Sequence, residues 1–386
     1  MSLRNIFPCF GKSDNEIVST VNGKIGFGQN TMVEGEILYV TSLEDDGSVG
    51  TLRWALELDK PRIVKFNIQS AIEPLYIYLR QKLVISNPYC HLSGLDQRVI
   101  IRGAGLRIEG THDVIISHMT IRIGDESSLG KGYYEMHPVN DKISGDVISA
   151  EDSYNVYIHH CSLGWGFGEN VAFKNCVGLT ISHCIISEPL SNPSLHLEDG
   201  EPMSHPFACS LRGNEITFYQ NIIAHSRLRN PNIDTTRPGS AVKVEIINNV
   251  IYHWTSKGTK INSPEDMGAE PGKLIVYGNY YRQRSGSESN CIVVEKQKIP
   301  TKLYIKKNSW PGGVSGLYFD RSEDRLLLLP KPPFFQTPLV KEKLAIVMAN
   351  AGNIIPYRDH HDERIMRDIL KMTGDIIFSP DDVGGF

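Results

Sequence analysis

The sequence has no long hydrophobic run. No stretch of the 386 residues approaches the roughly 20 apolar residues that cross a bilayer. The segment from Met1 to Asp14 also lacks an apolar core of signal-peptide length. We therefore expect no membrane association. Either the protein stays inside the cell, or an export signal was removed or replaced.

Cysteine and charge form few informative patterns. The seven cysteines include no CxxC pair and are too sparse for a disulfide scaffold, so mostly buried thiols are expected. The formal net charge of -4 gives no overall attraction to nucleic acid or to an acidic polymer. The absence of a P-loop, a dinucleotide-binding glycine pattern and a basic-aromatic stripe argues against a nucleotide or nucleic-acid partner. A polyanion site would have to be locally basic. The stretch from Pro202 to Val244 has an excess of three positive charges, which an ordinary solvated face would also explain.

A short pattern recurs along the chain. Each copy has an apolar, a variable and an apolar residue, then three mostly polar or small residues, then further apolar residues, which predicts a strand, a bend and a second strand. A unit this short cannot bury its apolar face alone, so the copies are expected to stack into a solenoid with one continuous core. The copies are VIISHMTI from Val114, VYIHHCSL from Val156, LTISHCII from Leu179, ITFYQNII from Ile216, VEIINNVI from Val244, LIVYGNYY from Leu274 and LYIKKNSW from Leu303.

The sixth position of the unit supports this stacking. It is asparagine in the last four copies, at Asn221, Asn249, Asn279 and Asn308, which predicts a ladder of inward amides; scattered turn asparagines are the alternative. The same position holds Cys161 and Cys184 in consecutive copies. Adjacent coils about 4.8 Å apart would allow a disulfide, but free inward thiols are favoured.

Other segments predict how the stack begins and ends. Residues 46–58 predict a helix that caps the open end, with Leu52, Ala55 and Leu56 on one face. The pattern stops after Trp310, and the proline-rich stretch around Pro330 is expected to lie across the side of the stack rather than form a coil. Two short amphipathic helices are expected at 339–351 and 362–372. One long domain accounts for the chain.

Several motifs together resemble the pectate lyases of polysaccharide lyase family 1. The resemblance runs from about Gly26 to Phe386, which sets apart residues 1–25 as an N-terminal extension and 311–386 as a C-terminal extension packed on the solenoid. It implies an all-β fold, a single-stranded right-handed parallel β-helix with a short N-terminal capping helix. The motifs, in the family's order, are GFGQNT, LYVTSLEDDGSVGTLRWAL, PRIVKFNI, IIRGAGLRI, NVYIHHCSLGWGFGEN, AHSRLRNP, NNVIYHW and VGGF.

The resemblance implies a reaction. Pectate lyases remove the C5 proton of a galacturonate, beside its carboxylate, and expel the glycosidic oxygen on C4. The residue matching the family's arginine base is Arg229, in the segment RNP. A free guanidinium is normally protonated, so this role requires a site that favours proton release or shares the proton. A carboxylate clamp and a surface arginine remain alternatives.

The metal and substrate positions carry over incompletely. Asp146 and Glu169 match calcium ligands, which implies Ca²⁺ as cofactor, but two carboxylates make a weak site for an ion that takes six to eight oxygens. Ser144, His159 and Gly168 replace residues that are acidic in some relatives, and Asp234 stands where a second arginine is common. Arg227 or Arg237 would then supply the missing charge. His205 and His225 are candidate substrate contacts, with structural hydrogen bonds as the alternative.

His159 and His160 are neighbours, so on a regular strand they would point to opposite faces and would not share a metal.

The best-supported function from the sequence is a lyase of pectate or a related uronate polymer, acting as a secreted monomer. Two other functions remain open. A β-helix polysaccharide hydrolase would need two carboxylates across the scissile bond, and no paired-aspartate motif surrounds Arg229. A non-catalytic carbohydrate-binding or structural β-helix is suggested by the substitutions at His159 and Asp234.

Overall fold

A computed structural model describes eleven segments of the chain. They are residues 24–70, 74–125, 145–191, 206–234, 242–263, 272–284, 290–297, 301–311, 316–319, 326–334 and 343–386. Two of the expected substrate contacts, His205 and Arg237, lie outside these described residues. So does most of the expected N-terminal extension.

The described strands are all paired in parallel and form a β-helix with three faces. In a repeating coil the chain runs along face A, then face B, then face C, before it starts the next coil one strand spacing away. Two long strands, β13 and β15, pass through faces A and B without a break. The repeated unit of the sequence is a face B strand, a bend and a face C strand, as predicted.

The strands are numbered in chain order. Face A contains β4 (Leu83–Ile85), β7 (Leu106–Glu109), β10 (Ile148–Glu151), β13 (Glu169–Ser182), β15 (Phe207–Tyr219), β17 (Asn232–Asp234), β20 (Thr259–Ser263), β23 (Ile292–Gln297) and β25 (Leu317–Phe319). Face B contains β1 (Glu36–Val40), β2 (Arg62–Phe66), β5 (Cys90–Ser93), β8 (His112–Ser117), β11 (Tyr154–His159), the second halves of β13 and β15, β18 (Lys243–Ile247), β21 (Lys273–Tyr277), β24 (Thr301–Lys306) and β26 (Leu326–Leu328). Face C contains β3 (Leu75–Tyr78), β6 (Val99–Arg102), β9 (Thr120–Arg122), β12 (Ser162–Gly164), β14 (Ile185–Ser187), β16 (Ile222–Ala224), β19 (Val250–Tyr252) and β22 (Tyr280–Arg282).

Alternation of side chains along each strand sets the register. On face B, Val114, Val156, Leu179, Ile216 and Val244 lie directly over one another. All five are completely buried. A slip of one residue would turn this apolar column outward, which fixes the stacking.

The asparagine ladder is confirmed. The side-chain oxygen of Asn249 accepts a bond of 2.8 Å from the backbone amide of Asn221, and the oxygen of Asn279 does the same for Asn249 at 2.9 Å. Each amide nitrogen also donates onward to the next asparagine, as from Asn249 to Asn279 at 2.9 Å. The ladder ends at Asn308, whose oxygen accepts from Asn279. These bonds satisfy polar groups inside the bend.

The ladder position in earlier coils is held by Met119, Cys161 and Cys184, all buried. Both cysteines are free thiols, as favoured by the sequence. Burial raises the pKa of the Cys184 thiol well above its usual value.

A short helix closes the first coils, in agreement with the expected cap. Helix α1 (Leu52–Glu57) is shorter than the expected 46–58 and begins after Thr51, whose hydroxyl accepts from the amide of Trp54 at 3.2 Å. Its apolar face joins the main core. The buried guanidinium of Arg62 donates to the carbonyl of Ala55 at 3.0 Å and to that of Leu56, so a β2 side chain satisfies the end of the helix.

The C-terminal part corrects one expectation. Strands β25 and β26 pair with β23 and β24, so the solenoid continues past Trp310. The sequence missed this because the strands are only three residues long and the bend asparagine is absent. Beyond them, Phe334 packs on Phe27 on the outside of face B, with their ring centroids 5.5 Å apart. This stretch therefore does lie along the side of the stack.

Two helices follow and cover face C. They are α2 (Lys343–Asn350) and α3 (His360–Lys371), close to the predicted 339–351 and 362–372. Their apolar residues pack on Ile185, Ile222 and Val250. None of the described helices has the length and apolar character of a membrane span.

Candidate functional site

Two carboxylates lie side by side where the chain enters face A. Asp146 precedes β10 and Glu169 begins β13, and the pairing of Ile148 with Val171 sets them in adjacent coils. A carboxylate oxygen of Asp146 accepts the backbone amide of Glu169 at 2.8 Å. Both side chains are half-buried. The predicted pair of acids is therefore brought together.

Arg229 lies beside them on the next coils. Its backbone is in the left-handed region, with φ 63°, at the turn before β17. Its guanidinium forms an ion pair with Glu169 and lies 4.4 Å over the ring of Phe207. The side chain is 25% exposed. The structure thus joins the candidate base to one of the two candidate ligand acids.

Phe207 was missed by sequence reasoning. It stands directly opposite Glu169 in the next coil and supports the guanidinium through its ring face. The contact spans 22 residues across a turn, and no motif in the sequence marks it. A register alignment of the coils, with β13 beside β15, is the signal that would have found it.

The described residues do not form a calcium site by themselves. Asp146 and Glu169 offer at most four carboxylate oxygens, fewer than the six to eight that calcium takes. Asp146 already accepts an amide, Glu169 already binds Arg229, and the next position in their column is the apolar Phe207. A Ca²⁺ ion held by Asp146 and Glu169 would therefore need water or substrate oxygens to complete its coordination, and it would compete with Arg229 for Glu169.

Local packing explains why glycine stands at position 168, where some relatives have an acidic residue. A Cβ atom built there would lie 2.6 Å from a carboxylate oxygen of Asp146, 2.9 Å from the carbonyl carbon of Gly145 and 3.0 Å from the amide of Asp146. Any larger residue would displace the Asp146 carboxylate or the backbone beneath it. The tight approach of the two coils requires glycine.

Asp234 is neutralised inside the protein. Its carboxylate pairs with Arg212 at 3.1 Å, in the register that sets β15 beside β17, and accepts from Asn232 at 3.2 Å. Arg227 is exposed two residues before Arg229. Of the two arginines expected to replace the missing charge, it is the one within the described residues.

The predicted substrate contact at His225 is wrong. Its side chain has no exposed surface and lies under the C-terminal segment. One ring nitrogen is 2.9 Å from a ring nitrogen of His253, and the other is 3.4 Å from a carboxylate oxygen of Asp368. His225 lies at a bend with φ 53°, and its ring faces Asp368 of α3. Its role is structural.

The prediction that His159 and His160 point to opposite faces is also wrong. His160 lies at the bend after β11 with φ 52°, in the left-handed region, which breaks the alternation of the strand. The Nδ1 atoms of the two rings are 2.9 Å apart. His118 and His183 stack on either side of His160, at 5.1 and 4.8 Å. Burial lowers the pKa of His118 and of His183 to about 4, so both rings are neutral near pH 7.

A separate cavity of about 730 Å³ lies between face C and the C-terminal segment. Its lining includes Tyr76, Arg98, Tyr357, His361 and Phe386. It shares no lining residue with Asp146, Glu169, Phe207 and Arg229, the Arg229 cluster, which lies where the chain enters face A. The cavity is therefore distinct from the site that the resemblance implies.

No protein-family model matches the chain, and no curated protein matches its sequence. Solved structures do match. The cedar pollen major allergen Jun a 1 is 15% identical, with a TM-score of 0.55, over 95% of this chain and 98% of that one. A Bacillus subtilis pectate lyase mutant is 13% identical, with a TM-score of 0.56, over 85% of this chain and 96% of that one. A pectate lyase bound to a hexasaccharide is 13% identical, with a TM-score of 0.51 and the same coverage. The resemblance is thus confirmed as a likeness of fold: the chain is a right-handed parallel β-helix of the pectate lyase type.

Proposed function

We propose that the chain is a polysaccharide lyase that cleaves pectate or a related uronate polymer by β-elimination, with Arg229 as the base. The observation that carries the proposal is the position of Arg229, partly exposed on a β-helix of the pectate lyase type and held between Glu169 and the ring of Phe207. The fold alone would not indicate the activity. We further propose that the protein acts outside the cell, where pectic polymers occur, as a monomer.

The proposed elimination moves one proton from C5 and breaks one C–O bond. A nitrogen of the Arg229 guanidinium takes the C5 proton of the uronate, the C5 electron pair forms a C4–C5 double bond, and the C4–O bond breaks. The glycosidic oxygen leaves with its electron pair and is protonated by water. Proton loss next to a carboxylate builds negative charge, so cationic groups near that carboxylate lower the barrier. Arg227 is exposed two residues before Arg229, and we propose that it supplies this positive charge.

The ion pair with Glu169 sets a condition on this mechanism. A carboxylate in contact stabilises the protonated guanidinium, which cannot accept a proton. Arg229 therefore has to release a proton to water before it acts as base, and the closed ion pair opposes this release. A uronate carboxylate that approaches Glu169 would repel it, which gives substrate binding a means to open the pair.

The same ion pair favours a second candidate function, binding of an acidic polysaccharide without turnover. In that case the guanidinium would remain protonated and clamp the uronate carboxylate. Asp234, paired with Arg212, removes one further cation that catalysis would use.

The test is the near-ultraviolet absorbance of the new conjugated double bond during incubation with polygalacturonate and with pectin. Wild type, Arg229→Lys and Glu169→Gln are compared, each with added Ca²⁺ and with chelator, so that metal carried by the polymer is controlled. We expect Arg229→Lys to lose about 10²- to 10⁴-fold in rate, the usual contribution of a general base. Glu169→Gln should keep or raise the rate, because it releases the guanidinium.

Three outcomes contradict the proposal. No absorbance rise with any uronate polymer, together with binding to an immobilised polymer, indicates the binding protein. A wild-type rate in Arg229→Lys removes Arg229 from the chemistry. Loss of the reaction in Glu169→Gln with retention in Arg229→Lys would assign the base to the carboxylate.

A further inference from the structure

A group of histidines on the outside of the β-helix takes no part in the proposed lyase site. His118 comes from the bend after β8, and His159 and His160 come from the end of β11 in the next coil. His118 is 8% exposed, while the other two are half-buried. The three rings therefore join two successive coils at the edge between faces B and C.

We propose that His118, His159 and His160 bind one divalent transition-metal ion of the zinc class. One nitrogen from each ring lies within 4.8 Å of the others. No other group of three histidine, cysteine or acidic side chains within the described residues meets this criterion.

The distances suit an imidazole site after small movements. Three nitrogens bound to one ion at about 2.0–2.1 Å lie roughly 3.3 Å apart in tetrahedral geometry. The Nδ1 atoms of His159 and His160 are 2.9 Å apart, and the third nitrogen, which lies within 4.8 Å of the other ligand atoms, needs to approach by at most about 1.5 Å. The Nδ1 atom of His118 is buried and makes no hydrogen bond, so a metal ion would give it the partner that it lacks.

The surroundings favour a metal ion over a simple ring stack. In the outward column of face B, His159 stands between the small side chains of Ser117 and Ser182. Imidazole nitrogens select zinc, copper or nickel over calcium, so this site would not take the ion that the resemblance implies.

Binding would connect two coils by a second set of bonds beside the backbone ladder. An ion that binds the folded chain more tightly than the unfolded chain raises stability by mass action. We therefore expect zinc to raise the unfolding temperature without being needed for the fold. This inference does not depend on the lyase proposal, because none of its ligands lies in the Arg229 cluster.

The experiment uses tag-free full-length protein that has been treated with chelator and then dialysed against Zn²⁺. Bound zinc is measured by elemental analysis, and Co²⁺ replacement is followed by its visible d–d absorption. Wild type is compared with His159→Ser, which installs the residue of the neighbouring coils, and with His118→Gln, which matches Gln220 at the same bend. His112→Asn is the matched control, since His112 lies at the start of the same β8 strand and outside the group.

We expect one zinc per chain in wild type and His112→Asn, less than a tenth of that in His159→Ser and His118→Gln, and a zinc-dependent rise in unfolding temperature only in the first two. The unfolding temperature without metal shows whether each variant folds, and either ligand variant alone suffices if the other does not. The proposal is overturned if wild type binds less than a tenth of an equivalent. It is also overturned if a folded ligand variant keeps the full equivalent, which would assign the zinc to other histidines among the 13 of the chain.

Discussion

The asparagine ladder is the part of the molecule whose energetic contribution is most open to measurement. Asn249 lies in its interior and is completely buried. Its oxygen accepts from the Asn221 amide at 2.8 Å, and its nitrogen donates to the Phe218 carbonyl at 3.0 Å. The substitution Asn249→Ala leaves the buried Asn221 amide without a partner, whereas the Phe218 carbonyl keeps its bond to the neighbouring strand of face B.

The expected cost follows from the orphaned amide. An orphaned buried donor costs about 1–3 kcal/mol, so Asn249→Ala should lower the free energy of unfolding by about that amount. Asn308→Ala is the control, because Asn308 makes the same kind of bonds at the half-buried end of the ladder. Water can replace its side chain there, so its cost should be at most half as large.

The assay is urea unfolding followed by circular dichroism and by tryptophan fluorescence. A stacked solenoid can unfold in parts, so the comparison holds only where the two probes coincide and the m-value is unchanged. The reasoning is refuted if Asn249→Ala costs less than about 1 kcal/mol, the value of an ordinary exposed hydrogen bond. It is equally refuted if Asn308→Ala costs as much as Asn249→Ala.

Three further predictions concern the surroundings of the site. Burial lowers the pKa of His118 from 6.5 to about 4, so the unfolded chain takes up the proton first as the pH falls, and this one group should cost about 2 kcal/mol of stability at pH 5. Because His91 and His183 act in the same direction, the loss of unfolding free energy between pH 7 and pH 5 should persist in His118→Gln but be smaller by about that amount, and an equal loss would refute this. Gly168→Ala should destabilise the fold by about 1–3 kcal/mol through the clash of its Cβ, measured by urea unfolding, whereas a neutral effect would show that the two coils can separate there. Arg122→Met leaves the buried carboxylates of Asp359 and Asp362 without their cation, at a cost of about 3–5 kcal/mol, and should expose α3 to limited proteolysis; unchanged proteolysis would refute this.

The fold could be predicted because its information is local and repeated. Each copy of the unit carries its own inward apolar residues, and in the last four copies the asparagine at the sixth position supports the same register. The last coil was not predicted, because β25 and β26 are three residues long and lack that asparagine. The stacking signal is therefore carried by the bend as much as by the apolar alternation.

The site could be predicted only in part. Asp146, Glu169 and Arg229 do come together, because the motifs that contain them fall at corresponding points of successive coils. The ion pair between Arg229 and Glu169 was not predictable, because it depends on the orientation of two side chains that are 60 residues apart in the chain. The two histidine predictions failed for a common reason: His160 and His225 both lie at bends with positive φ, where the alternation of a strand no longer gives the direction of a side chain.

Two arginines of this part of the β-helix are each paired with an acid of the protein itself. Glu169 binds Arg229, and Asp234, which stands where a second arginine is common, binds Arg212. Such a site costs energy to open, because a uronate has to displace a carboxylate before it gains a cation. If the chain is a lyase, that cost should appear as weak binding of short uronates and tighter binding of long ones, whose remote units supply the energy to open the pair. Equal affinity for short and long oligomers would mean that the pair stays closed and that the polymer binds elsewhere on the β-helix.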